Sequence, residues 1–297
     1  MAVYSYAEQF TRILAQKYAA ESKSDALFNS NPGVVFLNAQ TIKLPRITVS
    51  GYKDHNRSAM GFNTGTVTND WEPKKLAFDR DIEIAMDPMD IDETNLAVSV
   101  ANIQNTFEEE QAIPERDAYA FSKLHTEYVT NYKQTAGTTA LTAANILEQF
   151  DADMAAMDDA GVPEEGRILY CTPAVRKLLK EADGIQRQIS VSGGSGSINR
   201  KVHSLDDVEI VSVPSARMKT AYDFTDGFTP ASTAKQINYI LIHPSCVVAR
   251  QKYSYIKLFT PGTDSRTADK YVYQNRRYLD LFLLERKVDG CKMNVEA

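Results

Sequence analysis

The sequence predicts an α+β protein that carries a long projection. Three observations predict it. Two extended segments, 41–52 and 71–86, flank a polar connection; helical periodicity then runs from residue 96 past residue 130; and a strand–helix–strand alternation occupies 167–214.

Taken in order, residues 6–21 place Phe10, Ile13, Leu14 and Tyr18 on one helical face, and LFNSNPGVVF then breaks the pattern at Asn31, Pro32 and Gly33. This reads as an arm rather than a core element. TIKLPRITVSGY (41–52) alternates Ile42, Leu44, then Ile47 and Val49, around a Pro45 that a central strand would not tolerate. WEPKKLAFDRDIEIAM (71–86) reads as one extended segment, with Leu76, Phe78, Ile82 and Ile84 alternating against charges. KDHNRSAMGFNTGTVTND between them is polar and contains glycine, so the three parts together form a two-stranded projection with a soft tip.

The period then becomes helical. Leu96, Val100, Ile103 and Phe107 recur at spacings of four, three and four. Ala118, Phe121, His125, Tyr128 and Tyr132 continue a stripe beyond Pro114, a residue that costs little at a first helical turn, where its missing N–H has no partner. The expectation is therefore a kink at Pro114 and a second helix starting there, favoured by Glu115 and Asp117 at its positive end. His125 reads as a core histidine. Residues 139–160 predict a third helix with Ile146, Leu147, Phe150, Met154 and Met157 on its face and Gly161 as its stop. RILYCT (167–172) reads as a buried strand, AVRKLLKEA (174–182) as a helix, VEIVSVP (208–214) as another strand, and SVSGGSGSINRK (190–201) as a flexible loop.

Composition narrows the function classes. The 297 residues exceed the usual single-core size, and 43% hydrophobic and 24% charged residues are ordinary globular values. The N-terminal MAVYSYAEQFTRILAQKY has no basic start followed by an apolar run, and no segment reaches the ~20 apolar residues of a membrane span. Cys171, Cys246 and Cys291 lie far apart with no C-x-x-C pair, which suits reduced thiols. A net charge of −6 argues against a protein that grips nucleic acid. The charge is uneven: residues 77–95 hold seven acids against Arg80 alone, whereas 250–287 hold nine Lys or Arg against four acids. Such asymmetry suits unlike surfaces meeting between copies, although a solvated face is the commoner meaning of any single charge run.

No catalytic constellation emerges. GGSGS (193–197) lacks the last glycine of a nucleophile elbow. GVPEEGRI (161–168) has phosphate-loop glycine spacing, but Arg167 and Ile168 stand where lysine and a hydroxyl are needed. DPMDIDETN (87–95) clusters oxygens without the turn glycine and bidentate glutamate of an EF-hand. His55, His125, His203 and His243 form no ligand pair at helical spacing. Neither a cofactor nor a metal is implied. An enzyme site assembled from distant residues such as Ser190, His203 and Asp206 is a reading from another class.

GFNTGTVTNDWEPKKLAFDRDIEIAMDPMDIDET followed by IPERDAYAFSKL resembles the major capsid proteins of tailed bacteriophages, and INYILIHPSCVVARQKYSYIKLFTPG with DKYVYQNRRYLDLFLLERKVDGCKMN is similar to the closing part of that family. The resemblance, carried by 41–130 and 237–294, implies the HK-type coat fold, which encapsulin nanocompartment shells share. Residues 1–33 would be the N-terminal arm, 34–95 the E-loop, 96–135 and 245–297 the peripheral domain with its spine helix, and 136–244 the axial domain. Glu108, Glu109 and Glu110 depart from the family, where a basic residue is expected.

By this resemblance the chain would not be an enzyme. It would self-assemble into pentameric and hexameric capsomers of an icosahedral head enclosing double-stranded DNA, in a virion assembled in the host bacterial cytoplasm. The other partners would be a portal protein and a separate scaffolding protein, because the first 33 residues hold no long scaffolding segment. The alternative is an encapsulin-type shell around an enzyme. Assembly-interface candidates are Lys53, Arg57, Met60, Phe62, Val67 and Trp71 on the projection, and Arg276 and Arg277 in the C-terminal part. Lys53, Lys74 and Lys75 lie where some relatives cross-link to an asparagine, but nothing in the residues here supports a cross-link.

Overall fold

The computed structural model describes residues 21–28, 41–55, 57, 61–93, 100–182, 204–263 and 269–297. The expected arm helix from Phe10 to Tyr18, the break at Asn31–Gly33, Met60, Leu96, the 190–201 loop and His203 lie outside these residues.

A single helical turn, α1 (Asp25–Phe28), precedes the antiparallel ribbon of β1 (Thr41–Val49) and β2 (Val67–Lys75), whose register runs from Thr41↔Lys75 to Val49↔Val67. At ~3.3 Å per residue each strand extends about 30 Å. Its base is buried: Ile42, Leu44 and Leu76 pack with Val248 and Phe282. Pro45 fits because, among the described residues, β1 pairs on one side only, so the missing N–H breaks no central ladder.

The 71–86 segment is not one strand. β2 stops at Lys75, and β3 (Phe78–Met86) joins a different sheet. The break forms where buried Leu76 turns inward and the Ala77 N–H donates to Asp280 Oδ2 at 2.8 Å. A long-range carboxylate thus overrides local alternation.

After α2 (Pro88–Glu93), a long helix runs through α3 (Val100–Phe107), a π-helical turn (Glu108–Ala112), α4 (Ile113–His125) and a second π-helical turn (Thr126–Asn131). The expected helix start at Pro114 is not there. Ala112 and Ile113 both have right-handed helical angles, so the helix is continuous through the proline. The widened turn accounts for this. Pro114 cannot donate to the Glu110 carbonyl and its ring crowds that group. The chain instead inserts one extra residue, and the Ile113 N–H donates to Glu108 O, five residues back. Pro114, Ala118, Phe121, Leu124 and Tyr128 are buried along this helix, whereas His125 is half-buried at the edge of the stripe.

The third helix, α5 (Ile146–Asp159), begins seven residues after the expected start at Thr139. Asn145 holds the preceding turn, its side chain accepting from the Thr142 N–H at 2.7 Å and donating to Ala140 O at 2.9 Å. Gly161, at φ +71°, ends the helix as expected. Then come β4 (Ile168–Cys171), α6 (Pro173–Glu181), β5 (Ser204–Leu205) and β6 (Val208–Ser212), with β4 and β6 parallel. A small hairpin, β7 (Tyr222–Asp223) and β8 (Thr229–Pro230), leads to β9 (Ile237–Ile242), β10 (Val247–Phe259), β11 (Tyr271–Leu283) and β12 (Cys291–Val295).

Two sheets organise the body. The five-stranded sheet, in order β12-β9-β4-β6-β5, is covered on both faces. Ile168, Tyr170, Ile240 and Ile242 face the long helix, packing with Ala120, Phe121 and Leu124. Leu169, Cys171, Tyr239 and Leu241 face α5 and α6, packing with Phe150, Met157 and Leu179. Burial on both sides explains the continuous apolar runs ILYC and INYILI, each such side chain contributing ~1.5–3 kcal/mol. The second sheet, β10-β11-β3, meets the ribbon where β10 and β11 join the body core, through Val248 and Phe282.

Candidate assembly interface

The outer half of the ribbon presents apolar side chains to solvent. Tyr52, Phe62 and Val67 are 110%, 94% and 69% exposed, and Trp71 is 49% exposed. Burying such groups contributes ~25 cal/mol per Å², and contiguous apolar surface of this kind marks an interaction site. The tip is held by polar links: Lys53 Nζ donates to Thr64 O at 3.2 Å, and Asn63 Nδ2 donates to Asp54 O at 2.7 Å. Beside it lies a groove of about 650 Å³ lined by Tyr52, His55 and Phe62. Lys53 and Arg57 are exposed at this tip.

Contacts with the body brace the ribbon's two strands along their length. Arg46 pairs with Glu285 at 2.7 Å, and Arg286 donates to Ile47 O at 2.8 Å and to the Thr48 hydroxyl. Lys74 reaches Glu72 at 3.0 Å and the buried Glu127 at 3.4 Å, over the Tyr132 ring. Burial opposes the charge on Lys74, but Tyr132, Glu72 and Glu127 hold its pKa above the ordinary value. These contacts fix the ribbon's exit angle, so the exposed tip is presented by a rigid base.

Arg276 and Arg277, proposed from sequence with the tip residues, are not brought to it. Arg276 forms a bidentate pair with Asp79 on one face of β10-β11-β3, at 2.9 and 2.5 Å. On the other face, Arg277 reaches Glu108 in the first π-helical turn through one nitrogen, Nη2, which donates to both carboxylate oxygens at 2.6 and 2.7 Å. The acid Glu108, where a basic residue was expected, is therefore the partner of Arg277. The link ties the widened turn to β11.

Sequence reasoning missed the strongest anchor. Asp117 is fully buried on α4 and gathers donors from the end of the N-terminal segment. The Lys23 N–H donates at 3.1 Å, the Ser24 N–H at 3.1 Å, the Ser24 hydroxyl at 2.7 Å, and Arg217 Nη1 at 3.1 Å. Its neighbour Arg116 contacts Ser22 and Asp25 and lies over the Phe28 ring. The available signal was an acid beside Ala118 in an otherwise buried stripe. A second clamp centres on Arg80, which donates to Glu115 at 2.7 Å and to the carbonyls of Phe224 and Gly227. Burial pushes the Glu115 pKa up, opposed by the Arg80 charge.

Residues weighed for chemistry have structural roles. Arg167 is buried and wraps its own loop, donating to Asp158 at 2.6 Å, Val162 O at 2.7 Å and Pro163 O at 2.9 Å, which gives GVPEEGRI its function as a tied turn. Cys171, Cys246 and Cys291 are all buried, and burial pushes the Cys171 and Cys246 thiols up to about 12. Burial lowers the His125 pKa. Among the described residues, no group of three or more His, Cys, Asp or Glu side chains is placed to hold a metal. No helix among them is long and apolar enough to cross a membrane.

A braced ribbon with an apolar tip, a bulged long helix and two sheets define a fold shared, over nearly its whole length, with solved phage capsid structures. A subunit from the asymmetric unit of the bacteriophage PhiM1 mature capsid aligns over 99% of this chain and 92% of its own, at TM-score 0.70 and 14% identity. The capsid structure of cyanophage P-SCSP1u aligns over 98% and 93%, at TM-score 0.64 and 10% identity. A structure from Mycobacterium phage Che8 aligns over 97% and 96%, at TM-score 0.63 and 10% identity. No family model and no curated protein matches the chain.

Proposed function

We propose that the chain is a major capsid protein, the self-assembling subunit of an icosahedral bacteriophage head around double-stranded DNA. The observation that carries this reading is the near-complete alignment with the PhiM1 and P-SCSP1u capsids. The exposed apolar tip on a braced base supports it, because such surface suits a neighbouring copy. The role is structural rather than enzymatic. The neighbours come from phages, so the nanocompartment alternative draws no support from them.

On this reading residues 1–33 form an N-terminal arm, 34–95 an E-loop, 96–135 and 245–297 a peripheral domain of the HK-type coat fold, and 136–244 an axial domain. Lys53, Arg57, Met60, Phe62, Val67 and Trp71 meet a neighbouring subunit from the ribbon, and Arg276 and Arg277 belong to the assembly interface from β11. Copies gather as pentamers and hexamers, joined by a scaffolding protein and a portal, in the host cytoplasm. A net charge of −6 suits a wall that lies close to packaged DNA without gripping it. Sedimentation of the purified protein tests the proposal: capsomers, tubes or shells are expected, and monomer alone across salt concentrations, with and without scaffolding protein, overturns it.

A further inference from the structure

The charge asymmetry of the sequence acquires a location in the fold. The acid-rich segment becomes β3, the basic one supplies β10 and β11, and in the order β10-β11-β3 the first and last strands are opposite edges of one sheet. Among the described residues no strand pairs with the outer side of either edge. The register also puts them level. Ile256 stands opposite Asn275, which stands opposite Ile82, and Lys257 opposite Gln274, which stands opposite Glu83.

Each edge therefore has a defined face pattern. On the face turned from the long helix, β10 shows Tyr253, Tyr255, Lys257 and Phe259, and β3 shows Asp79, Asp81, Glu83 and Ala85. On the helix side, β10 shows Ile256 and Leu258, 48% and 43% exposed, and β3 shows the half-buried Ile82 and Ile84. Tyr253 and Tyr255 stack with nearly parallel rings, 5° apart, and Lys257 lies 4.7 Å from the Phe259 ring. Across the sheet, Arg276 offsets Asp79, and Gln274 donates to Glu83 at 2.6 Å, which leaves the acid's charge uncancelled by that bond.

A long, level edge with apolar side chains is a liability unless something covers it. Two β10 edges would bring lysines together and two β3 edges would bring three acids against three, whereas unlike edges match apolar to apolar and cation to anion. We propose that the β10 edge of one copy packs against the β3 edge of a second copy, with Lys257 facing Asp81 and Glu83 and with Ile256 and Leu258 facing Ile82 and Ile84. Both strands run antiparallel to β11, so the pairing is parallel, and the contact is heterologous, using different surfaces on the two copies. The inference rests on the shell reading and adds to it a contact separate from the ribbon tip.

Charge reversal with rescue tests it. Lys257 and Glu83 are exposed, so Lys257→Glu and Glu83→Lys should leave circular dichroism unchanged while weakening each contact at least about tenfold, and particle yield should fall. The two reversals combined in one chain should raise the yield above that of either single reversal. Single reversals that assemble like wild type, or a double reversal no better than either single, overturn the contact while wild-type shells leave the shell reading standing. A second measurement needs no shells. Mixed Lys257→Cys and Glu83→Cys chains should form cross-linked dimers on mild oxidation, with little background because the native cysteines are buried. Absence of these dimers overturns the contact, and a wild type that forms no assembly at all overturns the shell reading itself.

Discussion

Replacing Asp117 by Asn keeps the shape of the side chain but removes its charge and turns one acceptor oxygen into a donor. The Lys23 and Ser24 amides, the Ser24 hydroxyl and Arg217 all donate to this carboxylate, which has no solvent exposure. Arg217 is itself 13% exposed, so it is left as a largely buried cation without its partner. Breaking one side of such a pair costs ~3–5 kcal/mol, and the lower figure applies because Arg217 also donates to Glu21 O. For 297 residues the unfolding entropy is about 0.6 kcal/mol per kelvin, so ~3 kcal/mol lowers Tm by about 5 °C. The local effect is larger in proportion. Amide exchange at Lys23 and Ser24 should accelerate about a hundredfold, since ~1.4 kcal/mol is a factor of ten. Exchange read by mass spectrometry on a peptide covering 21–28, alongside thermal unfolding, measures both. An Asp117→Asn protein with wild-type exchange in that peptide and an unchanged Tm refutes the claim that Asp117 anchors the N-terminal segment.

Pro114→Ala restores an N–H that the Glu110 carbonyl can accept, so the π-helical turn should revert towards α, leaving a folded subunit whose particles differ in diameter; an unchanged size distribution by microscopy contradicts this. Trypsin should cut at Lys53 or Arg57 in free subunits and not in particles, and replacing 55–68 by a short Gly-Ser turn should give folded chains that close no shells. Equal cleavage in both states, or normal shells from the shortened chain, removes the tip from the interface. Burial raises the Asp280 pKa above 3.8, so the folded chain takes up this proton before the unfolded chain does, and stability from this group is lost as pH rises through the raised value. Wild type should therefore gain stability relative to Asp280→Asn as pH falls through that value towards 3.8, measured by denaturant unfolding; a wild type that loses stability relative to the variant on acidification contradicts the assignment.

Local signals carried much of this fold. The continuous apolar runs at 168–171 and 237–242 became strands buried on both faces, and Gly161 ended its helix where its left-handed backbone predicted. Signals failed where distant residues decide. Nothing near residue 76 announces the break between β2 and β3, because the acceptor for Ala77 is Asp280, some two hundred positions away. Pro114 was legible as a disturbance but not as a widened turn, since the Glu108–Arg277 pair that holds the turn in place spans 169 positions. The tip residues were readable as candidates because a long polar connection carrying Phe62 and Val67 has nothing of its own to fold around. Asp117 was not, because an acid near a helix start has an ordinary explanation in the helix dipole. Only the fold brings Ser22, Lys23, Ser24 and Arg217 around it.

Electron microscopy of the purified protein, negatively stained after expression with and without the scaffolding protein proposed above, tests the shell reading most directly. The account predicts hollow polyhedral shells with capsomers visible on their surface, in which antibodies or proteases no longer reach the ribbon tip. A field of dispersed monomers from soluble, folded protein, with no shells, tubes or capsomers at any salt concentration, contradicts it.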